Sequence, residues 1–149
     1  TDGQKLYIAD SEVSSIRCID IEQGLVKTIC GSGDLNAFGD VDGLGFDVRL
    51  QHCLGIEYAD NKLWVADTYN HKVKLVNPVT GYCKSCLDND KIQSKNIKLS
   101  EPSGLSLFEN YLYVADTNNH QIRRINLDTL FIEIMEFSGL CSPDVCLLD

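Results

Sequence analysis

The sequence predicts an all-β fold, a partial β-propeller of four-stranded antiparallel blades, and three observations carry that prediction. One segment recurs in fixed phase, short runs of β character alternate with turn residues, and helical periodicity is hard to find anywhere. Leu63-Trp64-Val65-Ala66-Asp67-Thr68-Tyr69-Asn70-His71-Lys72-Val73-Lys74 aligns without a gap on Leu112-Tyr113-Val114-Ala115-Asp116-Thr117-Asn118-Asn119-His120-Gln121-Ile122-Arg123. A weaker third copy reads Leu6-Tyr7-Ile8-Ala9-Asp10-Ser11-Glu12-Val13-Ser14-Ser15-Ile16-Arg17. The copies begin at 6, 63 and 112, a spacing in the range of a propeller blade. A β-sandwich of duplicated hairpins also accounts for the strands, but not for three copies in phase.

Within one unit the elements follow in order. Gly55 to Tyr58 is a first strand, Asp60-Asn61 a turn, and Leu63 to Ala66 a second strand. Asp67 to Asn70 turns the chain into a third strand over Lys72 to Val76. Asn77-Pro78-Val79-Thr80-Gly81 is rich in residues that favour turns, and Tyr82 to Cys86 closes the unit as a fourth strand. The expected organisation is an incomplete blade over 6–31, lacking its opening strand, and blades over 50–88 and 99–137. Residues 138–149 would start another blade or form a disordered end. That is a little under three blades, whereas closed rings have about four to eight. An open arc leaves apolar faces uncovered, so further blades of a longer chain are expected to complete the ring. A first residue other than Met, followed by mid-pattern sequence at Leu6, reads as a fragment.

Composition narrows the function classes. The net charge of −9 disfavours a phosphate backbone, so nucleic acid is not an expected partner. No apolar run approaches the roughly 18 residues of a membrane span. Seven cysteines, an odd count, with no Asn-X-Ser/Thr acceptor, point to a reducing, cytoplasmic setting.

The residues that carry a family likeness are Gly39-Asp40-Val41-Asp42-Gly43, then Leu50-Gln51-His52-Cys53-Leu54-Gly55-Ile56, then Leu63 to His71. Together they resemble the NHL repeat, over roughly residues 6 to 137. One departure is Cys53, where the family usually has Pro; Pro102 keeps the usual residue. The resemblance implies a protein-protein interaction scaffold in a larger protein, with a thioredoxin-like domain ahead of about six blades. Two alternatives come with it. Peptide-amidating lyases are metal-dependent enzymes on NHL-like propellers, and that reading calls for paired cysteines and zinc-binding histidines. Some NHL propellers bind RNA through strongly basic faces, which this acidic balance opposes.

Candidate positions follow from the repeat. Asp10, Asp67 and Asp116 end the second strand of each copy, where a short carboxylate takes amide hydrogen bonds from the turn that follows. A structural role explains one Asp per blade better than a catalytic set, which needs different residues converging. Asn70, His71, Asn119 and His120 lie in turns expected to open on the partner-binding face. His52, His71 and His120 invite a metal reading, but Ser14 occupies the same position in the first copy. Arg17, Lys74 and Arg123 share one position on successive third strands. They are expected to form a basic track for an acidic peptide, ordinary solvated charge being the plainer account.

Cys83-Lys84-Ser85-Cys86 has the spacing of a redox or zinc motif, yet its sulfurs would point to opposite faces of a strand, at positions that are apolar in the other copies. Gly39 to Gly43 resembles a calcium loop without the further ligands, and reads as a glycine-rich crossing between blades. No catalytic residue, metal ligand or cofactor is assigned. Cys141 and Cys146 lie outside the repeat.

Overall fold

The computed structural model describes residues 1–87 and 98–138; Cys141, Cys146 and nearly all of 138–149 lie outside the described residues. The fold is all-β, with antiparallel sheets. The first sheet holds β1 (Lys5–Asp10), β2 (Ser15–Asp20) and β3 (Val26–Cys30) in chain order. The second holds β5 (Gly55–Ala59), β6 (Lys62–Asp67), β7 (Lys72–Val76) and β8 (Tyr82–Leu87), with a two-residue strand β4 (Gly43–Leu44) added outside β8. The third holds β9 (Pro102–Phe108), β10 (Tyr111–Asp116), β11 (Gln121–Asn126) and β12 (Ile132–Ile134).

Strict alternation along each strand divides it between two neighbours rather than between core and water. In β6, Leu63 and Val65 pack in a cluster with Tyr7, Ile16 and Cys18 of the first sheet. Trp64 faces the other way and packs with Val73, Leu112, Val114 and Ile125 at the junction with the third sheet. The second sheet is thus a wedge with two buried faces, as in a propeller blade.

The first strands of adjacent blades approach at backbone distance. A Cβ on Gly55 would lie 1.8 Å from the Ser103 carbonyl oxygen, so β5 meets β9 at a position where only glycine fits.

The cysteines of the C-x-x-C spacing separate as alternation predicts. Cys83 is buried among the residues between the first two sheets and Cys86 packs toward the third. A hydrogen bond of the Cys83 thiol to Cys30, with burial, pushes Cys83 up, and burial pushes Cys86 up to about 12. Both are held as thiols and behave as small apolar side chains.

The crossing over 31–50 does more than link blades. It forms β4 and a single 3-10 turn over Gly45–Asp47, and it brings Asp40 and Asp42 against the third strand of the second blade.

Candidate functional site

The second and third strands of each copy are joined by the same tight turn. Thr68–Asn70 and Thr117–Asn119 form single 3-10 turns, closed by His71 and His120 in the left-handed conformation, with φ of 56° and 52°. Ser14 takes the same conformation in the first copy, with φ of 47°. These turns lie beside the segments that enter each blade. The Tyr69 amide donates to the Gln51 carbonyl at 3.1 Å, and the Asn118 amide donates to the Ser100 carbonyl at 3.1 Å.

The strand-end aspartates tie these pieces together, in a way that corrects the sequence expectation. Asp67 is fully buried and accepts the amide of Gln51 at 2.7 Å and the Asn70 side-chain amide at 2.8 Å. Asp116 accepts the Ser100 amide at 2.7 Å and the Asn119 side-chain amide at 2.8 Å. The backbone donors thus come from the entry segment of the blade, not from the turn that follows. The reason is reach: the carboxylate points out of the strand end toward the incoming chain, and the turn closes itself through the His71 amide on the Thr68 carbonyl. Asn70 and Asn119 continue the knot, donating to the carbonyls of Gly39 and Lys98, each at 2.7 Å. In the first copy Val13 stands at the Asn position, and Asp10 is held by the Arg17 Nε, at 2.6 Å.

Arg17, Lys74 and Arg123 are not an exposed basic track. Arg123 is 4% exposed and its Nε lies 2.7 Å from Asp116. Lys74 is 0% exposed and its Nζ lies 2.7 Å from Asp40, 3.1 Å from Asp42 and 3.7 Å from Asp67. Arg17, the most exposed of the three, is paired with Asp10 and donates to the Thr28 hydroxyl. Because both faces of a blade sheet are buried, a cation on the face turned to the previous blade has no route to water and is matched by the strand-end carboxylate.

The charges shift one another accordingly. Burial pushes the Asp67 carboxyl up, against the donors of Asn70 and Gln51 and the Lys74 charge. Burial also raises Asp40 and Asp42, but Lys72 and Lys74 at the first, and the Ser85 amide and Lys74 at the second, leave both below the ordinary value of 3.8. Lys74 is held above its ordinary value, because Asp40, Asp67 and Asp42 outweigh the effect of burial.

Asn70 and Asn119 are therefore committed to the fold, and His71 is committed as well. Its Nδ1 accepts the amide of Glu101, at the entry to the next blade, at 3.1 Å. His52, His71 and His120 do not converge, and no group of three His, Cys, Asp or Glu side chains suited to a metal occurs among the described residues. His52 instead stacks on Tyr69, with ring centroids 4.6 Å apart.

What sequence reasoning missed is the residue pair left facing solvent at this edge. Tyr69 is 47% exposed and Leu54 57% exposed. The Leu54 amide donates to the Thr68 hydroxyl at 3.2 Å, which brings their two segments to the same edge. The third blade presents Ser103 and Asn118 at the same two positions. Comparing the copies position by position, apolar against polar within the same turn, was the available signal.

Residues 99–125 match the NHL repeat. Over 84 residues, 52% of this chain and 12% of that protein, it is 48% identical to NHL repeat-containing protein 2 of Bos taurus. Over 115 residues, 68% of this chain and 11% of that protein, it is 44% identical to Protein SUPPRESSOR OF QUENCHING 1, chloroplastic, of Arabidopsis thaliana. The chain thus spans a small part of the curated relatives that it matches. Among solved structures, an auxiliary nutrient binding protein from Bacteroides ovatus superposes with a TM-score of 0.68 over 91% of this chain and 36% of that chain, at 18% identity, a likeness of fold. With blades built on one recurring strand-turn-strand unit, each tied by its own aspartate, and with these matches, the chain belongs to the NHL-repeat family.

Proposed function

We propose that these blades form a protein-interaction scaffold, with the turn edge as the docking face for a protein or peptide. The observation that carries the reading is the exposed step made by Leu54 and Tyr69, with the Tyr69 ring fixed against His52. A rigid aromatic side chain with a polar tip beside an apolar one is the composition favoured at interface centres. The polar turn residues around it, Asn118 and His120 among them, supply a rim. Of the positions predicted from sequence, His71 and His120 are exposed at this edge, His71 with its Nδ1 engaged by the Glu101 amide, while Asn70 and Asn119 are half-buried and Lys74 and Arg123 buried behind it.

The same reading places the blades in a longer cytoplasmic polypeptide that also carries a thioredoxin-like domain. The five described cysteines, Cys18, Cys30, Cys53, Cys83 and Cys86, are free thiols, in keeping with a reducing compartment.

The test is a quantitative comparison of partners retained by the wild-type protein, by Leu54→Glu with Tyr69→Ala, and by the control Phe131→Ala, an exposed apolar residue in the third blade. The proposal expects the double variant to lose partners that the control keeps. Equal retention by all three would refute it.

A further inference from the structure

The first two blades meet at a pair of thiols. Cys30 ends β3 and Cys83 lies in β8; both are 0% exposed and belong to the cluster packed between the first and second sheets. Cys30 pairs with Ile16 across its sheet and Cys83 with Val76, so each side chain stands on the face that its blade turns to the other. The Cys83 thiol is in hydrogen-bonding contact with Cys30. The backbones close in at the same place. A Cβ on Gly81 would lie 2.5 Å from the Ile29 carbonyl oxygen. Gly45 bridges the two strand ends, accepting the Gly31 amide and donating to the Gly81 carbonyl, each at 3.1 Å.

The second junction shows what these positions hold when they serve packing alone. The counterparts of Cys30 and Cys83 there are Leu87 and Ile132, each 1% exposed and both in the cluster between the second and third sheets. One slot is filled by two branched aliphatic side chains at one junction and by two thiols in contact at the other. Cys53 shares the first cluster but is turned to Asp67, its sulfur 3.8 Å from the carboxylate.

We propose that Cys30 and Cys83 are a site of reversible oxidation, where a small disulfide such as oxidised glutathione joins the first two blades covalently. The site stands apart from the docking face and does not rest on it. In the closed junction both sulfurs are shielded from the oxidant, and Cys83, pushed up by the contact with Cys30 and by burial, keeps its proton. Exchange therefore starts when the junction opens locally. One thiol gives its proton to water, and its thiolate attacks a sulfur of the oxidant. That S–S bond breaks and releases one glutathione thiolate, which takes up a proton. The second protein thiol, deprotonated in the same way, displaces the second glutathione from the mixed disulfide. Two protein thiols are oxidised to one disulfide, and the oxidant is reduced to two glutathione thiols. The bond closes a long loop, from Cys30 to Cys83, and so restricts the opened state strongly.

The test incubates the protein with oxidised glutathione in denaturant below the unfolding transition, digests it without reductant, and maps the links by mass spectrometry. The expected product joins the peptides that carry Cys30 and Cys83, and dithiothreitol separates them. The His52 amide donates across this junction to the Ser14 hydroxyl at 3.1 Å. Its exchange is expected to slow about a hundredfold in the linked protein, once the denaturant is removed. Cys30→Leu with Cys83→Ile, the pair of the second junction, is expected to lose this slowing, and so is the smaller change Cys30→Ala. Cys30 and Cys83 remaining thiols, joining other cysteines, or ending as mixed disulfides with glutathione would overturn the proposal. So would a link that leaves exchange at His52 unchanged or faster, or a slowing by the oxidant that persists in the variants.

Discussion

The cation at the third-strand position is held in two ways, and the difference between the second and third blades teaches what the position is for. In the third blade Arg123 makes one short contact among the described residues, Nε to Asp116 at 2.7 Å, in a pocket that also holds the Ser100 amide. In the second blade Lys74 stands among Asp40, Asp42 and Asp67, and the first two belong to the crossing over 31–50. The common element is the strand-end aspartate tied to its own entry segment. The variable element is the further tie to the outer crossing, which the described residues show at Lys74. A rigid guanidinium suits a single carboxylate, while an ammonium, a compact charge with three donors, suits several approaching from different directions.

The largest test of the common element is Asp67→Ala or Asp116→Ala. Each leaves a buried cation with its nearest fully buried partner gone, and is expected to cost about 3 to 5 kcal/mol by denaturant unfolding. Losses below about 1 kcal/mol, the range of exposed ion pairs, would show that the ties are not held out of water.

The variable element is tested by Lys74→Met against Arg123→Met. Both are expected to cost about 2 to 3 kcal/mol, since each leaves a buried carboxylate without its cation. They should differ in what loosens. Asp42 accepts the Ser85 amide at 2.8 Å, so Lys74→Met should speed exchange at Ser85 while Arg123→Met leaves it alone. Identical exchange maps would erase the distinction between the two blades.

The legible part of the fold was the part fixed by local rules. Strand Lys72–Val76 follows from its alternation, and the ends of β5, β6 and β8 fall within a residue of the sequence reading, because turn residues bracket them. The site was less legible, for one physical reason. Charge on a strand ordinarily marks a solvated face, but the face that a blade turns to the previous blade is covered, so Lys74 and Arg123 looked exposed and are buried. Their pairing had a signal, since an Asp precedes the cation by the same interval in every copy, at Asp10 and Arg17, Asp67 and Lys74, and Asp116 and Arg123. The roles of Asp40 and Asp42 had none, because they depend on where the 31–50 crossing lies across β7 and β8.

Acid sharpens the comparison more gently. Asp40 and Asp42 titrate below 3.8, so the stability that they contribute is complete above that value and is lost as pH falls through their folded-state values. Asp67 has the opposite sign: burial raises its carboxyl, and its ionised form costs stability at neutral pH. Asp40→Asn with Asp42→Asn should cost about 0.5 kcal/mol per exposed pair at neutral pH and flatten the fall in stability below about pH 4. An acid limb as steep as that of the wild type would remove both groups from the clamp.

The smallest effect is expected from Cys53→Pro. Cys53 adds a weak sulfur donor to Asp67 at 3.8 Å, while Pro102 does without one in the third blade. The change should stay within about 1 kcal/mol in thermal unfolding, since the preceding residues His52 and Glu101 share one backbone conformation.

The most direct measurement is residue-resolved amide exchange in Asp67→Ala and Asp116→Ala, read at the two entry amides and the two turn amides. The account predicts that the first variant exposes Gln51, the second exposes Ser100, and the amides of His71 and His120 keep their protection on Thr68 and Thr117. Loss of protection at His71 and His120, with Gln51 and Ser100 unchanged, would return the aspartates to capping the turns that follow them and contradict the account.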